Sequence, residues 1–352
     1  MHNLQAERAW MQLDARRVTL DLTTGDLLQI YKKLLLVRLV DERITSLQTR
    51  GLIAGSPTCR GHEAAQVGCV APLHVGLDYI LPYYRDLGIM LAIGMTPTAL
   101  FLNQLGRQDD PISGGRMRPA QWNSRDFRVV SASGLIATQT LHAAGIAFAA
   151  KLRGEAAIAL TCFGEGATSE GDFHEALNFA GLHQLGVIFV CENNGIALST
   201  PQSRQMRAEH VADRAASYGM PGVVVDGIDV LAVIDAAREA FTRARNGQGP
   251  TLLEIIVPRL PASTDAPDRR HDPVLFFQDY VHARGDLTLE ADQHLRHTIS
   301  QELDAAEQLA LTSAPPDPTT IHDQLFAVAD DATGNHWGAP LTPSATPTSE
   351  EA

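Results

Sequence analysis

Residues 157–200 place two short apolar segments on either side of a helical one. The first apolar segment, 157–163, ends in Gly164-Glu165-Gly166, and the second, 187–191, ends in Glu192-Asn193-Asn194-Gly195. Two buried strands that flank one helix predict a βαβ unit, in which ligands bind at the carboxyl ends of the strands. Both polar clusters lie at those ends, so this stretch predicts a binding site.

The polar residues at the two strand ends supply oxygen atoms that suit a hard cation. Glu165 offers a carboxylate, Asn194 offers an amide oxygen, and the adjoining backbone offers carbonyl groups. Mg²⁺ uses such ligands together with waters and phosphate oxygens. The intervening helix is predicted to begin near 170–173 with Ser169 or Asp172 as its cap, and a helix N-terminus favours a phosphate. The residues therefore predict a Mg²⁺-bound diphosphate.

The two motifs resemble a known family. G-[DE]-G followed after about 26 residues by N-N is the thiamine diphosphate signature. The segments GEGATSEGDFHEALNFA and ENNGIALST resemble the α subunit of the branched-chain 2-oxoacid dehydrogenase decarboxylating component, and the resemblance spans 24–261. It implies a Mg²⁺ site formed by Glu165, Asn194 and the backbone oxygen of Ile196. It also implies cofactor contacts from Gly134, Glu165, Gly166, Ala167, Glu192 and Asn194. The alternative is a pair of glycine-containing turns that bind nothing.

Composition and charge argue against a nucleic-acid-binding protein and against a membrane protein. The chain has 352 residues, is 45% hydrophobic and carries a net charge of −13, which argues against nucleic-acid binding because that needs a basic face. No apolar run approaches transmembrane length, and the first residues lack an apolar signal core, so no membrane association is expected. Four cysteines without C-x-x-C spacing indicate reduced structural thiols. We therefore expect a cytoplasmic protein.

The segment PYYRD contains a candidate phosphate ligand. Tyr84 and Arg85 stand where the family has a Y-R pair, and an arginine offers a fork of donors matched to phosphate oxygens. The alternative is a surface arginine paired with Asp86. The resemblance favours cofactor binding by Tyr84 and Arg85.

Residues 133–139 resemble a potassium-binding pattern, S-x-P-x-x-T-Q, with Leu135 in place of the proline. In relatives this pattern binds K⁺ and steadies the cofactor loop, which implies a K⁺ site at Ser133, Leu135, Thr138 and Gln139. The alternative for the last two is capping of a helix. Gly134 replaces a serine that often faces the cofactor, so one contact is absent.

Two positions depart from the family pattern. Gln121 stands where a histidine is usual, and Ala262 stands where a loop histidine contacts the cofactor. Because neither residue titrates near neutral pH, we expect loop ordering and acyl transfer to weaken while the cofactor still binds. His271 would substitute only if the loop folds differently. Ser263 matches a serine that is phosphorylated in some relatives. His62 could reach the mouth of the site, but a lone exposed histidine is more often merely solvated, and we expect the solvated position.

The remaining pattern predicts an α/β fold. Strands at 222–225 and 251–257, and a segment at 129–152 that begins as a strand and becomes a helix, alternate with helices at 26–50, 229–246 and 288–311, which indicates a parallel sheet covered by helices on both faces. We expect Thr24 or Asp26 to cap the first of these three helices and Asp229 to cap the second. The resemblance makes this the thiamine-diphosphate-binding fold. We predict a loose N-terminal arm at 1–23, an α/β domain at 24–330 and a disordered tail at 331–352.

The resemblance implies oxidative decarboxylation of a small branched-chain 2-oxo acid, with acyl transfer to a lipoyl group on a partner acyltransferase. The glutamate that activates the cofactor is expected on a separate β subunit, which makes this chain half of an α₂β₂ assembly. One alternative is the α subunit of a pyruvate or acetoin dehydrogenase. Another is a degenerate, non-catalytic scaffold, which the two absent histidines favour and the intact diphosphate signature opposes.

Overall fold

The computed structural model describes residues 2–261 and 268–321, with side chains from residue 10 onward. The chain divides into two compact units, one at Met1–Pro315 and the other at Pro316–Ala352. The described part of the second unit contains a single 3₁₀ turn, Pro318–Thr320. The predicted tail at 331–352 lies outside the described residues, so the proposed domain boundaries stay predictions.

A parallel β-sheet forms the centre of the first unit. Its strands are β1 (Tyr79–Leu81), β2 (Ala159–Gly164), β3 (Val187–Asn193), β6 (Gly222–Asp226) and β7 (Thr251–Ile256), in the spatial order β1-β2-β3-β7-β6. All four pairings are parallel. A small antiparallel hairpin, β4 (Ile196–Ala197) with β5 (Thr200–Pro201), follows β3. The strands predicted at 157–163, 187–191, 222–225 and 251–257 are therefore confirmed within about two residues at each end. The strand predicted to begin at Val129 is not formed, because Val129 makes only isolated bridges with Ile80 and Ser124.

Helices cover both faces of the sheet. They are α1 (His2–Thr19), α2 (Thr24–Thr49), α3 (Glu63–Cys69), α4 (Leu87–Ile93), α5 (Pro97–Gln104), α6 (Thr138–Arg153), α7 (Gly171–Leu182), α8 (Val230–Arg245), α9 (Pro273–Ala283) and α10 (Leu289–Thr312). Leu160 and Cys162 of β2 belong to the core that includes α2, α3 and α8, whereas Ala159 and Phe163 belong to the core that includes α6 and α7. This alternation follows from the two-residue period of a strand. The α/β class is confirmed.

Helix capping agrees with the sequence in part. Asp229 caps α8 as predicted, because its carboxylate accepts the N–H groups of Leu231 and Ala232. The cap of α2 is Thr23, not Thr24 or Asp26; Asp26 instead completes a capping box with Thr23. The prediction of Ser169 or Asp172 for α7 was wrong, because a 3₁₀ turn at Glu165–Ser169 delays the helix and its N-cap has no side-chain hydrogen bond.

The expected loose arm at 1–23 is instead largely helical and packed. Leu13 of α1 is fully buried in the core. Asp14 accepts a hydrogen bond of 2.9 Å from the Tyr280 hydroxyl, and Arg16 forms an ion pair with Asp229. Burial of Leu13 and these long-range contacts fix the helix against the rest of the unit.

A buried ion-pair cluster joins three helices behind the sheet. Arg38 of α2 donates to Glu63 of α3 at 2.6 Å and, through both terminal nitrogens, to Asp272 at 2.8 and 2.9 Å. Asp272 also caps α9. All three side chains are nearly inaccessible. Within the described residues, no helix is both long enough and apolar enough to cross a bilayer.

Candidate functional site

A cavity of about 530 Å³ lies at the carboxyl ends of β2 and β3. Ten of the residues that the sequence singled out line it, namely Tyr84, Arg85, Ser133, Leu135, Gln139, Glu165, Gly166, Ala167, Asn194 and Ile196. Another cavity of about 530 Å³ includes Thr251, the first residue of β7, and so lies toward the amino ends of the strands. Because ligands of parallel sheets bind at the carboxyl ends, the first cavity is the candidate site.

Glu165 presents an unpaired carboxylate oxygen to this cavity. The residue is 3% exposed, and its Oε1 atom is buried and has no hydrogen-bond partner among the described residues. A buried charge needs a counter-charge or a metal ion, so this atom fits a cation. The Oδ1 atom of Asn194 accepts the Ile196 N–H at 3.3 Å and keeps a second lone pair. The residues present therefore fit Mg²⁺ bound to a diphosphate.

The glycines of the G-E-G motif act by their lack of a side chain, not by tight turning. A Cβ atom on Gly166 would lie 2.5 Å from the Cβ atom of Ala197, so the 3₁₀ turn packs directly against the β4–β5 hairpin. Gly164 has an ordinary φ of −85° and open space where a Cβ atom would stand. Neither glycine has a positive φ, so the turn itself does not require glycine by its backbone conformation, whereas close approach of a ligand at Gly164 is consistent with the open space.

Arg85 lies in the wall of the cavity. It is 9% exposed, donates to the Thr58 carbonyl and stacks over the Tyr84 ring, 5.4 Å from its centroid. Asp86 is occupied elsewhere, because it accepts the Tyr83 N–H at 2.8 Å. The alternative of a surface arginine paired with Asp86 is therefore not what the structure shows.

The segment predicted to bind K⁺ forms an extended loop before α6. The Ser133 hydroxyl accepts the Leu135 N–H at 3.0 Å, and Gln139 donates to the Cys162 carbonyl at 2.9 Å. The N-cap of α6 is Ala137, with no side-chain hydrogen bond, so capping by Thr138 or Gln139 is not observed. Ser133, Leu135 and Gln139 line the cavity but Thr138 does not. The K⁺ site stays a prediction.

Gly134 lies next to Gln121, the residue that stands where the family usually has a histidine. It is exposed and does not line the cavity, and a Cβ atom there would lie 3.4 Å from Nε2 of Gln121. The proposed cofactor contact of Gly134 therefore stays a prediction, and Gln121 lies beside the predicted K⁺ loop.

Glu192 lies beneath the cavity, not in its lining. It is fully buried, and its Oε2 atom accepts hydrogen bonds from His62 Nδ1 at 2.6 Å, Gln66 Nε2 at 3.0 Å and the Tyr83 hydroxyl at 3.2 Å. Burial opposes ionisation, but the hydrogen bonds from His62 and Gln66 hold the pKa of Glu192 below its usual value. Glu192 therefore lies behind the lining residues and does not itself line the cavity.

The sequence analysis placed His62 outside the site. A solvated side chain was preferred to one that reaches the site mouth, yet His62 is 1% exposed and lies between Glu192 and Asn194. Its Nε2 atom is 3.4 Å from Asn194 Nδ2. No periodic pattern marks a histidine in the turn before α3, so the sequence carried no signal for this contact beyond the neighbouring G-H-E-A segment.

A second buried carboxyl group adjoins Glu192. Asp86 is fully buried, and burial together with the charge of Glu192 raises the pKa of Asp86 well above 3.8. Asp86 Oδ1 and Glu192 Oε1 each have no hydrogen-bond partner among the described residues, and both groups lie with Cys162 in one cluster whose side-chain ligand atoms are within 4.8 Å of one another. Burial and the neighbouring Glu192 therefore disfavour ionisation of Asp86. All four cysteines are free and buried, as predicted.

The loop that carries Ala262 and Ser263 lies outside the described residues. His271, the suggested substitute, is 68% exposed and pairs with Asp268 at 2.8 Å. It borders a different cavity, together with Trp10 and Asp226. The structure therefore does not bring His271 to the candidate site.

Comparison with known proteins identifies the family. The sequence profile of the dehydrogenase E1 component matches residues 31–319. The 2-oxoisovalerate dehydrogenase subunit alpha of Bacillus subtilis (strain 168) is 40% identical over 325 residues, 89% of this chain and 98% of that protein. The 3-methyl-2-oxobutanoate dehydrogenase subunit alpha of Mycobacterium tuberculosis (strain CDC 1551 / Oshkosh) is 41% identical over 253 residues, 72% and 66% of the two chains. The pyruvate dehydrogenase E1 component subunit alpha of Staphylococcus aureus (strain COL) is 36% identical over 320 residues, 87% and 84% of the two chains. The chain belongs to the dehydrogenase E1 component family and has its thiamine-diphosphate-binding fold.

Proposed function

We propose that this chain is the α subunit of a branched-chain 2-oxo acid dehydrogenase decarboxylating component, and that its cavity binds thiamine diphosphate through Mg²⁺. The unpaired buried Oε1 atom of Glu165, beside Asn194 in the same cavity, carries the proposal. The branched-chain type is supported by relatives at 40% and 41% identity, against 36% for the pyruvate enzyme.

The residues of this chain hold and orient the cofactor. When bound, thiamine diphosphate supplies the carbanion chemistry of decarboxylation. Glu165, Asn194 and the Ile196 carbonyl would hold the cation, and the Arg85 guanidinium would face the diphosphate oxygens. The open space at Gly164 would let a diphosphate approach the backbone.

A β subunit would complete the active site. Glu165 is the acidic residue that lines the cavity among the described residues, and the cation would occupy it. As the family resemblance implies, the glutamate that activates the cofactor would come from the β subunit. We propose an α₂β₂ assembly in the cytoplasm that passes its acyl group to a lipoyl acyltransferase, with K⁺ bound near Ser133.

Reconstitution with a β subunit tests the function. Decarboxylation of 3-methyl-2-oxobutanoate, followed with an artificial electron acceptor, should require both subunits, thiamine diphosphate and Mg²⁺. Binding of the cofactor without turnover would instead support the scaffold alternative. Activity of the α chain alone would contradict the proposed division of the active site.

The pyruvate alternative rests on the similarity to pyruvate dehydrogenase α subunits. A comparison of kcat/KM for pyruvate and for 3-methyl-2-oxobutanoate, measured on the same reconstituted enzyme, distinguishes this alternative from the branched-chain assignment. A preference for pyruvate would overturn the branched-chain assignment while leaving the cofactor site intact.

A further inference from the structure

We propose that His62 is a positioning residue that fixes the side-chain amide of Asn194, so that the amide oxygen and not the NH₂ group faces the cation. The inference rests on the proposed function. His62 does not line the cavity, and it would act entirely through Asn194.

The first step is the hydrogen bond that fixes the imidazole. Gly88 donates to the Oε1 atom of Gln66 at 2.9 Å, which turns the Gln66 NH₂ group toward Glu192 Oε2 at 3.0 Å. This Oε2 atom is thus an acceptor, and it lies 2.6 Å from His62 Nδ1. The imidazole proton is therefore on Nδ1, which leaves Nε2 as an acceptor.

The second step is the contact with the amide. The acceptor Nε2 of His62 lies 3.4 Å from Asn194 Nδ2, which is a donor. On its other side, Asn194 Oδ1 accepts the Ile196 N–H at 3.3 Å. The two contacts are independent, and both require the same orientation of the amide.

The third step is the consequence of turning the amide over. The NH₂ group would then face the Ile196 N–H, and the amide oxygen would face the lone pair of His62 Nε2. Both contacts become repulsive, and the NH₂ group would replace the oxygen toward the cation. A ligand held by such an outer hydrogen bond keeps its affinity, and loss of the outer partner typically costs about 10- to 100-fold in metal binding.

Two substitutions distinguish the roles of the two ring nitrogens of His62. His62→Asn retains a donor near the position of Nδ1 and loses the acceptor that faces Asn194. His62→Gln retains an acceptor near the position of Nε2 and loses the donor to Glu192. We expect Mg²⁺ affinity, measured by calorimetry on the reconstituted complex with thiamine diphosphate, to fall about tenfold in His62→Asn and less than about threefold in His62→Gln.

A purely structural role predicts the reverse order, because His62→Gln removes the shorter hydrogen bond to a buried carboxylate. The melting temperature of the complex without cofactor measures that structural effect separately. Equal affinities of the two variants, or a weaker His62→Gln, would overturn the proposal. Absence of Mg²⁺ binding by the unaltered complex would instead refute the proposed function.

A double-mutant cycle gives a second test. In Asn194→Asp both side-chain oxygens are equivalent, so no amide orientation remains to be fixed. The tenfold effect of His62→Asn should then shrink to less than about twofold. An undiminished effect in the Asn194→Asp background would contradict the proposal. Should His62→Asn not assemble, His62→Ala takes its place in both comparisons.

Discussion

Gly164 and Glu192 are directly paired in the register of the parallel strands β2 and β3. This pairing brings Glu165, the residue after β2, and Asn194, the residue after β3, to one cavity. A shift of one residue would reverse which face each side chain occupies. The residues between G-E-G and N-N form the helical crossover and the second strand. Their number therefore sets the register that brings the two motifs together.

Glu165→Ala should abolish most of the cation-dependent binding of thiamine diphosphate. The substitution removes the one carboxylate that lines the cavity among the described residues, and a lost charge-assisted contact costs roughly 1.5–3 kcal/mol, or about 10- to 100-fold in affinity. Calorimetric titration of the reconstituted complex, with and without a chelator, measures the effect. Glu170→Ala, an exposed acid five residues away in sequence, is the matched control and should bind normally. Undiminished binding by Glu165→Ala would refute the cation site.

The two glycines of the motif should respond differently to the same added methyl group. Gly166→Ala places a Cβ atom 2.5 Å from Ala197 and should lower the free energy of unfolding by about 1–3 kcal/mol. Gly164→Ala meets no atom within 4 Å, so stability should be retained while the affinity for thiamine diphosphate falls. Urea unfolding without cofactor and calorimetry with it measure the two effects. Similar losses of stability in both variants would contradict this assignment.

Most of the sheet could be predicted from the sequence because its strands are short apolar runs with sharp polar ends. The segment 187–191 lies wholly within β3, and 251–257 contains β7. The first 19 residues could not be predicted, because α1 is held by a few long-range contacts such as Tyr280 to Asp14. Such long-range contacts cannot be predicted from the local amino-acid composition.

Residues that line the cavity could be predicted, but the residues behind them could not. Glu165, Asn194 and Arg85 belong to local motifs, so residue type, spacing and the family resemblance were enough to single them out. His62 lies 132 residues from Asn194 in the chain. Its role depends on burial and hydrogen bonding across three elements, and these arise only when the chain folds.

Arg38→Met should destabilise the α chain strongly, because it leaves Glu63 and Asp272 buried without their counter-charge. Removal of one partner of a buried ion pair typically costs about 3–5 kcal/mol. Arg43→Met is the matched control on the same helix. Arg43 pairs with the exposed Asp304 and with Glu307, and its loss should cost at most about 1 kcal/mol. Chemical unfolding of both variants measures the difference in free energy of unfolding. Equal losses of stability would show that the Arg38 ion pairs contribute no more than the Arg43 ion pairs to holding these helices together.

Asp86→Asn should make the α chain relatively more stable as pH rises. In the folded chain the pKa of Asp86 is raised above 3.8 by burial and by Glu192, so the native state binds this proton more tightly than the unfolded state. Its stabilising contribution is complete below the ordinary pKa and is lost as pH rises through the raised value. An asparagine keeps the acceptor for the Tyr83 N–H and a donor toward Glu192, and it does not titrate.

The expected result is a difference in free energy of unfolding, variant minus unaltered chain, that increases from pH 5 to pH 9. Asp26→Asn is the control, because hydrogen bonds from Thr23 lower the pKa of that exposed carboxyl group. Its contribution is lost only as pH falls through the lowered pKa, so the Asp26→Asn difference should stay constant across the same range. Urea titrations at several pH values measure both variants. A constant difference for Asp86→Asn would mean that the pKa of Asp86 is not raised in the folded chain.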